Sequence, residues 1–296
     1  MKMIFIFLDG FGLGENDKAK NPLFAANAEN IRYILNNFRM IPTDSTLGVP
    51  GLPQSATGQT TIFTGVNASK VLGRHMHGQP TVTLKKILNE NNLFLQLAHR
   101  GLKFTNFNVY RQEYLDKMTD PCEKRHRPSV TSVMTLSSGI GFRMADDYEQ
   151  GKGIYHDITG KVLKEYGYDI DIITPVMAAQ RLYRESRNYD FTLFEHFMPD
   201  IIGHRMNMEE ATEEILLLDE FLGELLRLSD LDNDIIFITS DHGNIEDISV
   251  KTHTFNKVPT CIITNLPCAD SVKIESLMDI TPSVLSLFDD CARRQN

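Results

Sequence analysis

Apolar positions in this 296-residue chain fall into short continuous runs separated by longer stretches with helical spacing. Met3–Leu8, Lys103–Val109, Phe191–Phe197, Ile235–Ser240 and Thr260–Thr264 are rich in β-branched and aromatic residues and too short for ordinary helices. That is the pattern of strands buried on both faces. Leu23–Phe38, Leu84–Arg100 and Met208–Leu228 carry helical periodicity instead. In the last of these, apolar residues at 211, 215, 218, 222 and 225 form one stripe. Glu209, Glu210, Glu213 and Glu214 stand near its start, where the helix dipole favours acids. The alternation predicts an α/β domain.

The polar residues that interrupt this pattern collect at strand ends. Ile235–Ser240 runs directly into Asp241-His242-Gly243-Asn244. A carboxylate and an imidazole both lose hydration at the end of a buried strand, which is poor packing but a good way to hold a divalent metal. A polar turn is the local alternative. Met3–Leu8 likewise ends at Asp9-Gly10, followed by Phe11-Gly12-Leu13-Gly14. The glycines are spaced GxGxG, not GxGxxG, and Asp9 would repel a pyrophosphate unless a cation lay between them. Asp200 and His204, four apart after Pro199, reach one side of a single helical turn. His253 lies in a loop shortly before the strand Thr260–Thr264.

Ser55 lies in the Gly- and Pro-rich turn that begins at Gly51. If it opens a helix, free N–H groups and the helix dipole favour an anion at its hydroxyl, helping both an alkoxide and a bound phosphate. Serine is also a favoured helix cap, and Thr57, Thr60 and Thr61 compete for the same role. No His-Asp pair stands at a telling spacing, so activation by a metal is the better expectation than a protease-like triad.

Composition narrows the class. A hydrophobic content of 42% and a charged content of 23% are those of a chain with a large core, expected as one domain over 1–296. The texture changes at about 70–165, where Arg111, Lys117, Lys124, Arg125, His126 and Arg127 precede a small-residue run from Ser129 to Gly141. No linker composition separates this stretch, so it is expected as a cap or insertion. A net charge of −9 and a pI near 5.5 argue against a nucleic-acid partner. No basic cluster suits a membrane surface, no apolar run spans a bilayer, and Ile4–Leu8 is too short for a signal peptide. Cys122, Cys261, Cys268 and Cys291 form no CxxC pair, so reduced thiols and a cytoplasmic location are expected.

Leu8-Asp9-Gly10, Gly51-Leu52-Pro53 with Ser55 and Gly58, Pro199-Asp200 with Gly203-His204, Asp241-His242-Gly243-Asn244, and Thr252-His253-Thr254 with Val258-Pro259 occur in this order. Together they resemble the alkaline phosphatase superfamily, in particular its branch of cofactor-independent phosphoglycerate mutases and phosphopentomutases. The resemblance implies a three-layer α/β sandwich: a mostly parallel sheet, helices on both faces, a small cap, and two divalent metals at the strand tips. By position, Asp9, Ser55, Asp241 and His242 match the ligands of one metal, and Ser55 doubles as the nucleophile. Asp200, His204 and His253 match those of the other. Gly58 and Gly65, three and ten residues after Ser55, fit the same pattern.

Two departures from that branch, and one difference from the sulfatases, shape the expected activity. The mutases have a longer insertion, which holds substrate during re-phosphorylation; this chain has a shorter cap. Gln59 replaces a family histidine, and the Pro and Arg that follow the nucleophile in sulfatases are absent. The resemblance therefore implies a two-metal phosphatase that acts on a small phosphorylated substrate through a phosphoserine. A phosphomutase and a catalytically inactive metal-binding protein are the alternatives. Manganese or zinc suits the mixed ligands, with magnesium also admissible. Among cap residues, Arg74, His75, His77, Arg111 and Arg127 are candidates for substrate contact, but no spacing assigns the role to any of them.

Overall fold

The protein is described by a computed structural model, which covers residues 1–120, 122 and 127–294. Lys124, Arg125 and His126 of the basic stretch lie outside the described residues. Among the described residues, β1 (Lys2–Leu8), β2 (Arg39–Thr43), β3 (Phe104–Asn106), β4 (Phe191–His196), β5 (Asp234–Ser240) and β6 (Val258–Ile263) form one sheet. Their order is β2-β6-β5-β1-β4-β3. β1 runs parallel to both β4 and β5, and β3 runs parallel to β4. β6 is antiparallel to β5 and to β2.

The unbroken apolar runs follow from helices that cover both faces. In β1, Ile4, Ile6 and Leu8 point to one face, where they meet Ile31, Ile34, Leu182, Leu218 and Phe221. Those partners come from the helices Glu29–Asn37, Pro175–Ser186 and Met208–Leu228. Met3, Phe5 and Phe7 point to the other face, against Phe63, Phe94, Leu97, Val284 and Leu287. These partners belong to the helices Ser55–Thr64, Leu93–His99 and Ile280–Arg294. Phe5 stands at the centre of the second core, with ring centroids 5.1 Å from Phe237, 5.7 Å from Phe191 and 5.9 Å from Phe63.

Several expected elements divide. The stretch Leu23–Phe38 is two helices, Pro22–Ala25 and Glu29–Asn37, with the chain extended at Ala26. Arg32 donates to the carbonyls of Leu23 and Ala26, and Asp219 accepts the Ile31 N–H at 2.7 Å, so the break satisfies its own backbone groups. Leu84–Arg100 breaks at Asn91-Asn92, where Asn92 caps the second helix through the Leu95 N–H. The strand expected over Lys103–Val109 keeps its ladder only at Phe104–Asn106, and Asn108 and Val109 make isolated bridges to Ile154 and Arg143. Within 70–165, then, the chain contributes an edge strand as well as short helices.

The antiparallel turn of β6 decides where the chemistry falls. Strands β1, β4 and β5 all exit at one edge of the sheet, and β6, running the opposite way, enters there. Residues after three strands and before a fourth therefore meet at one edge. Cys122, Cys261 and Cys268 are free thiols, and no helix among the described residues is long and apolar enough to cross a membrane.

Phe5→Ala should cost about 3–5 kcal/mol in chemical denaturation, as expected for a fully buried ring. Val82→Ala, at a site 82% exposed, should stay within about 0.5 kcal/mol of the parent. A Phe5→Ala cost below about 1 kcal/mol would contradict the packing of this face.

Candidate metal centre

The strand exits deliver the acids first. Asp9 follows β1, and Asp241 and His242 follow β5. Asp200 sits in the helix Met198–Gly203, one turn after β4, with His204 at its C-cap. His253 comes from the loop that leads into β6, and Ser55 is the first residue of the helix Ser55–Thr64. All seven residues singled out in the sequence converge.

Two sets of side chains form within this cluster. Asp200 Oδ1 lies 3.3 Å from His253 Nε2 and 3.4 Å from His204 Nε2. His242 Nε2 lies 3.0 Å from Ser55 Oγ, 3.4 Å from Asp9 Oδ1 and 3.5 Å from Asp241 Oδ2. Asp200, His204 and His253 offer one ligand atom each within 4.8 Å of one another, and so do Asp9, Asp200 and His242. Asp200 therefore reaches both sets, whereas the sequence grouped it with the two histidines alone.

Neighbouring groups aim these side chains. His253 Nδ1 donates to the Pro53 carbonyl at 2.8 Å, and His204 Nδ1 donates to the Lys251 carbonyl at 2.7 Å. Each bond makes Nδ1 the donor and turns Nε2 toward Asp200, the side on which a cation would be held. The rings of His242 and His253 stack at 3.7 Å. Gly58 lets the Ser55 helix approach, since a Cβ there would stand 2.9 Å from Asp241 Cβ and 3.0 Å from its carbonyl oxygen. Gln59 donates to Asp9 Oδ2 at 3.3 Å and to Asp241 Oδ2 at 3.2 Å. It holds two acids side by side.

Sequence reasoning missed the brace behind the cluster. Buried Glu246 accepts the N–H of Gly12 at 3.0 Å and that of Asn244 at 2.7 Å. It also accepts the Asn256 amide at 3.0 Å and the Thr254 hydroxyl. One carboxylate thus ties the loops that carry Asp9, Asp241 and His253 together. The Ile245-Glu246 pair gave only a weak signal, an acid one residue after an apolar position. Glu214, grouped in the sequence with the acids near a helix start, is buried and bonds His196 Nε2 at 2.6 Å.

The electrostatics call for a cation. Burial, then the charges of Asp241 and Asp200, push the Asp9 carboxyl well above its ordinary range. Burial, followed by Asp200, raises Asp241 to about 7. Burial also opposes ionisation of Asp200, yet the hydrogen bonds from His253 and Asn244 outweigh it and hold this carboxyl well below the usual value. His242 is lowered to about 3, by burial and then by His253, which keeps its ring neutral. Asp9 Oδ1 is buried without a hydrogen-bond partner. Crowded carboxylates, inward-turned imidazoles and an orphaned carboxylate oxygen fit divalent metal, which supplies positive charge to the cluster. A cavity of about 660 Å³, lined in part by Asp9, Ser55, Asp200, His204 and His253, opens over the cluster.

The chain belongs to the metalloenzyme superfamily, whose family model matches residues 1–289. It is 30% identical over 110 residues to the 2,3-bisphosphoglycerate-independent phosphoglycerate mutase of Ehrlichia ruminantium (strain Gardel), a match covering 35% of this chain and 22% of that protein. The chain thus aligns with less than a quarter of that mutase's length. The PH0037 protein from Pyrococcus horikoshii superposes with a TM-score of 0.62 at 16% identity, covering 97% of this chain and 96% of that one. Alkaline phosphatase from the Antarctic bacterium TAB5 superposes with a TM-score of 0.52 at 14% identity, covering 97% and 98%. The fold is alkaline-phosphatase-like: a mostly parallel sheet between helical layers.

Elemental analysis after manganese or zinc loading should find about two ions per chain. Asp200→Ala should lose most of both, because its carboxylate stands in both sets, while His204→Ala should keep about one. Equal retention by the two variants would contradict the shared position of Asp200. Metal at about a hundredfold above its Kd should add roughly 2.7 kcal/mol to unfolding stability, measured against chelated protein.

Proposed function

We propose that this chain is a two-metal phosphoryl-transfer enzyme that hydrolyses a small phosphate monoester through a phosphoserine at Ser55. The observation that carries the reading is the Ser55 hydroxyl at a helix start, 3.0 Å from His242 Nε2 and at the rim of the carboxylate–imidazole cluster. Asp9, Ser55, Asp241 and His242 would hold one ion, and Asp200, His204 and His253 the other. Such a pair lowers the pKa of a nucleophile, binds phosphoryl oxygens and steadies the leaving oxygen.

The chain's own groups do the rest. No side chain caps the helix start at Gln54, so the dipole of the Ser55 helix faces the cavity and favours the phosphoryl oxygens. Ser55 Oγ attacks phosphorus as the ester oxygen departs, taking a proton to leave as the free alcohol. Water then breaks the Oγ–P bond, releasing phosphate and restoring the hydroxyl. His242, neutral and fixed by its stack on His253, sets the direction of the Ser55 hydroxyl. Residues of 70–165 act as the cap, His77 and Gln79 lining the cavity mouth. The reacting partner is a small phosphorylated molecule.

The similarity to the Ehrlichia mutase over 110 residues favours a second reading, in which the phosphoryl group returns to another hydroxyl of the same substrate. Product analysis separates the two, since a phosphatase releases inorganic phosphate and a mutase yields an isomer. Ser55→Ala should lower turnover of an aryl phosphate by at least about a thousandfold while bound metal, read by elemental analysis, stays near the parent level. Retained turnover would overturn the assignment of the nucleophile. Stoichiometric metal in the parent with no turnover of any ester would favour a metal-binding protein without catalysis.

A further inference from the structure

A second cavity of about 270 Å³ adjoins the metal centre, and Gln79, Ser129 and Phe197 line both spaces. We propose that this second cavity receives the alcohol half of the ester, and that this half is a hydroxylated ring carrying its own anionic group. The proposal rests on the phosphoryl-transfer reading of the metal centre and names its substrate class.

Three features of the cavity point to that chemistry. Tyr110, Tyr155 and Tyr166 line it, and aromatic faces of this kind pack against the C–H face of a sugar ring. Two buried polar atoms in its lining have no hydrogen-bond partner: Glu195 Oε1 and His156 Nδ1. Glu195 is 1% exposed, and its other oxygen already accepts the Thr131 hydroxyl. Buried polar atoms are rarely left unpaired in folded proteins. A hydroxyl both donates and accepts, so it satisfies a carboxylate or an imidazole in either protonation state. Two such atoms in one cavity match a polyhydroxylated ligand better than a flat aromatic one.

The anion is read from Arg111. Its guanidinium lies over the Tyr166 ring, Cζ 3.6 Å from the centroid, and faces the Tyr155 hydroxyl. Its charge helps to hold the exposed Glu113 carboxyl down, but the pair forms no salt bridge among the described residues. Stacking fixes the plane of the guanidinium, and the N–H donors not turned to the Tyr155 hydroxyl suit a carboxylate or phosphate. In a chain of net charge −9, a guanidinium that lines this cavity and forms no salt bridge among the described residues is placed to bind an anionic ligand.

Calorimetry on metal-loaded Ser55→Ala protein tests this without turnover. Glucose 1,6-bisphosphate and glucuronic acid 1-phosphate should bind about tenfold or more tighter than glucose 1-phosphate, as a charge-assisted contact implies. Adding Arg111→Gln should shrink that preference to within about threefold and leave p-nitrophenyl phosphate binding unchanged. Equal binding of singly and doubly anionic sugars, or an Arg111→Gln effect equal on every ligand, would overturn the anionic contact. Binding of 2-phosphoglycerate as tight as that of the sugar bisphosphate would overturn the ring. Turnover of p-nitrophenyl phosphate by the parent enzyme judges the hydrolase reading separately: its absence would sink that reading, while calorimetry still decides the fate of the cavity proposal.

Discussion

Three carboxylates, Asp9, Asp200 and Asp241, are brought to one edge of a buried sheet, and their mutual repulsion is the constraint on which this structure depends. Two unit charges about 4 Å apart interact by about 4 kcal/mol at the effective dielectric typical of proteins. A whole domain is stable by only about 5–15 kcal/mol. The cluster answers this partly by keeping protons: Asp9 and Asp241 are pushed up while Asp200 stays ionised against its histidines. Divalent ions answer it more fully, since they let all three ionise together.

Much of the surrounding architecture reads as support for that arrangement. Three parallel strands exit at the edge and β6 enters there, so four segments distant in sequence meet without long connections. Glu246 ties their loops, Gln59 spans two of the acids, and the Gly58 backbone lets the Ser55 helix close over Asp241. The same closeness brings the Ser55 hydroxyl to His242. The nucleophile's position is a consequence of how the acids are packed.

Local signals in the chain carried the strands and the ligand motifs well, because burial on both faces leaves unbroken apolar runs and because Asp and His at strand ends are costly without a purpose. The direction of β6 was not legible, since a strand covered on both faces has the same composition whichever way it runs. Helix breaks at Asn27 and Asn91-Asn92 were hidden by periodicity that continues across them. The first is explained by a remote group, Asp219, and the second by a local cap, Asn92. The convergence of Asp9, Ser55, Asp200, His204, Asp241, His242 and His253 was foreseen through motif order. The placing of Asp200 between both sets was not, because spacing along the chain says nothing of which neighbour a carboxylate oxygen faces. Among the candidate cap residues, His77 lines the cavity over the metal centre and Arg111 the one beside it, whereas His75 bonds Ser69 and the Val49 carbonyl.

The central claim is that this edge of the sheet is organised around a pair of cations. Anomalous X-ray scattering from crystals of manganese-loaded protein addresses it most directly. The account predicts two peaks about 3.5–4 Å apart, one within bonding distance of His204 and His253, the other of Asp9 and His242, with Asp200 reaching toward both. Ions bound elsewhere on the chain, or a single ion that leaves the Asp9 side of the cluster bare, would contradict it.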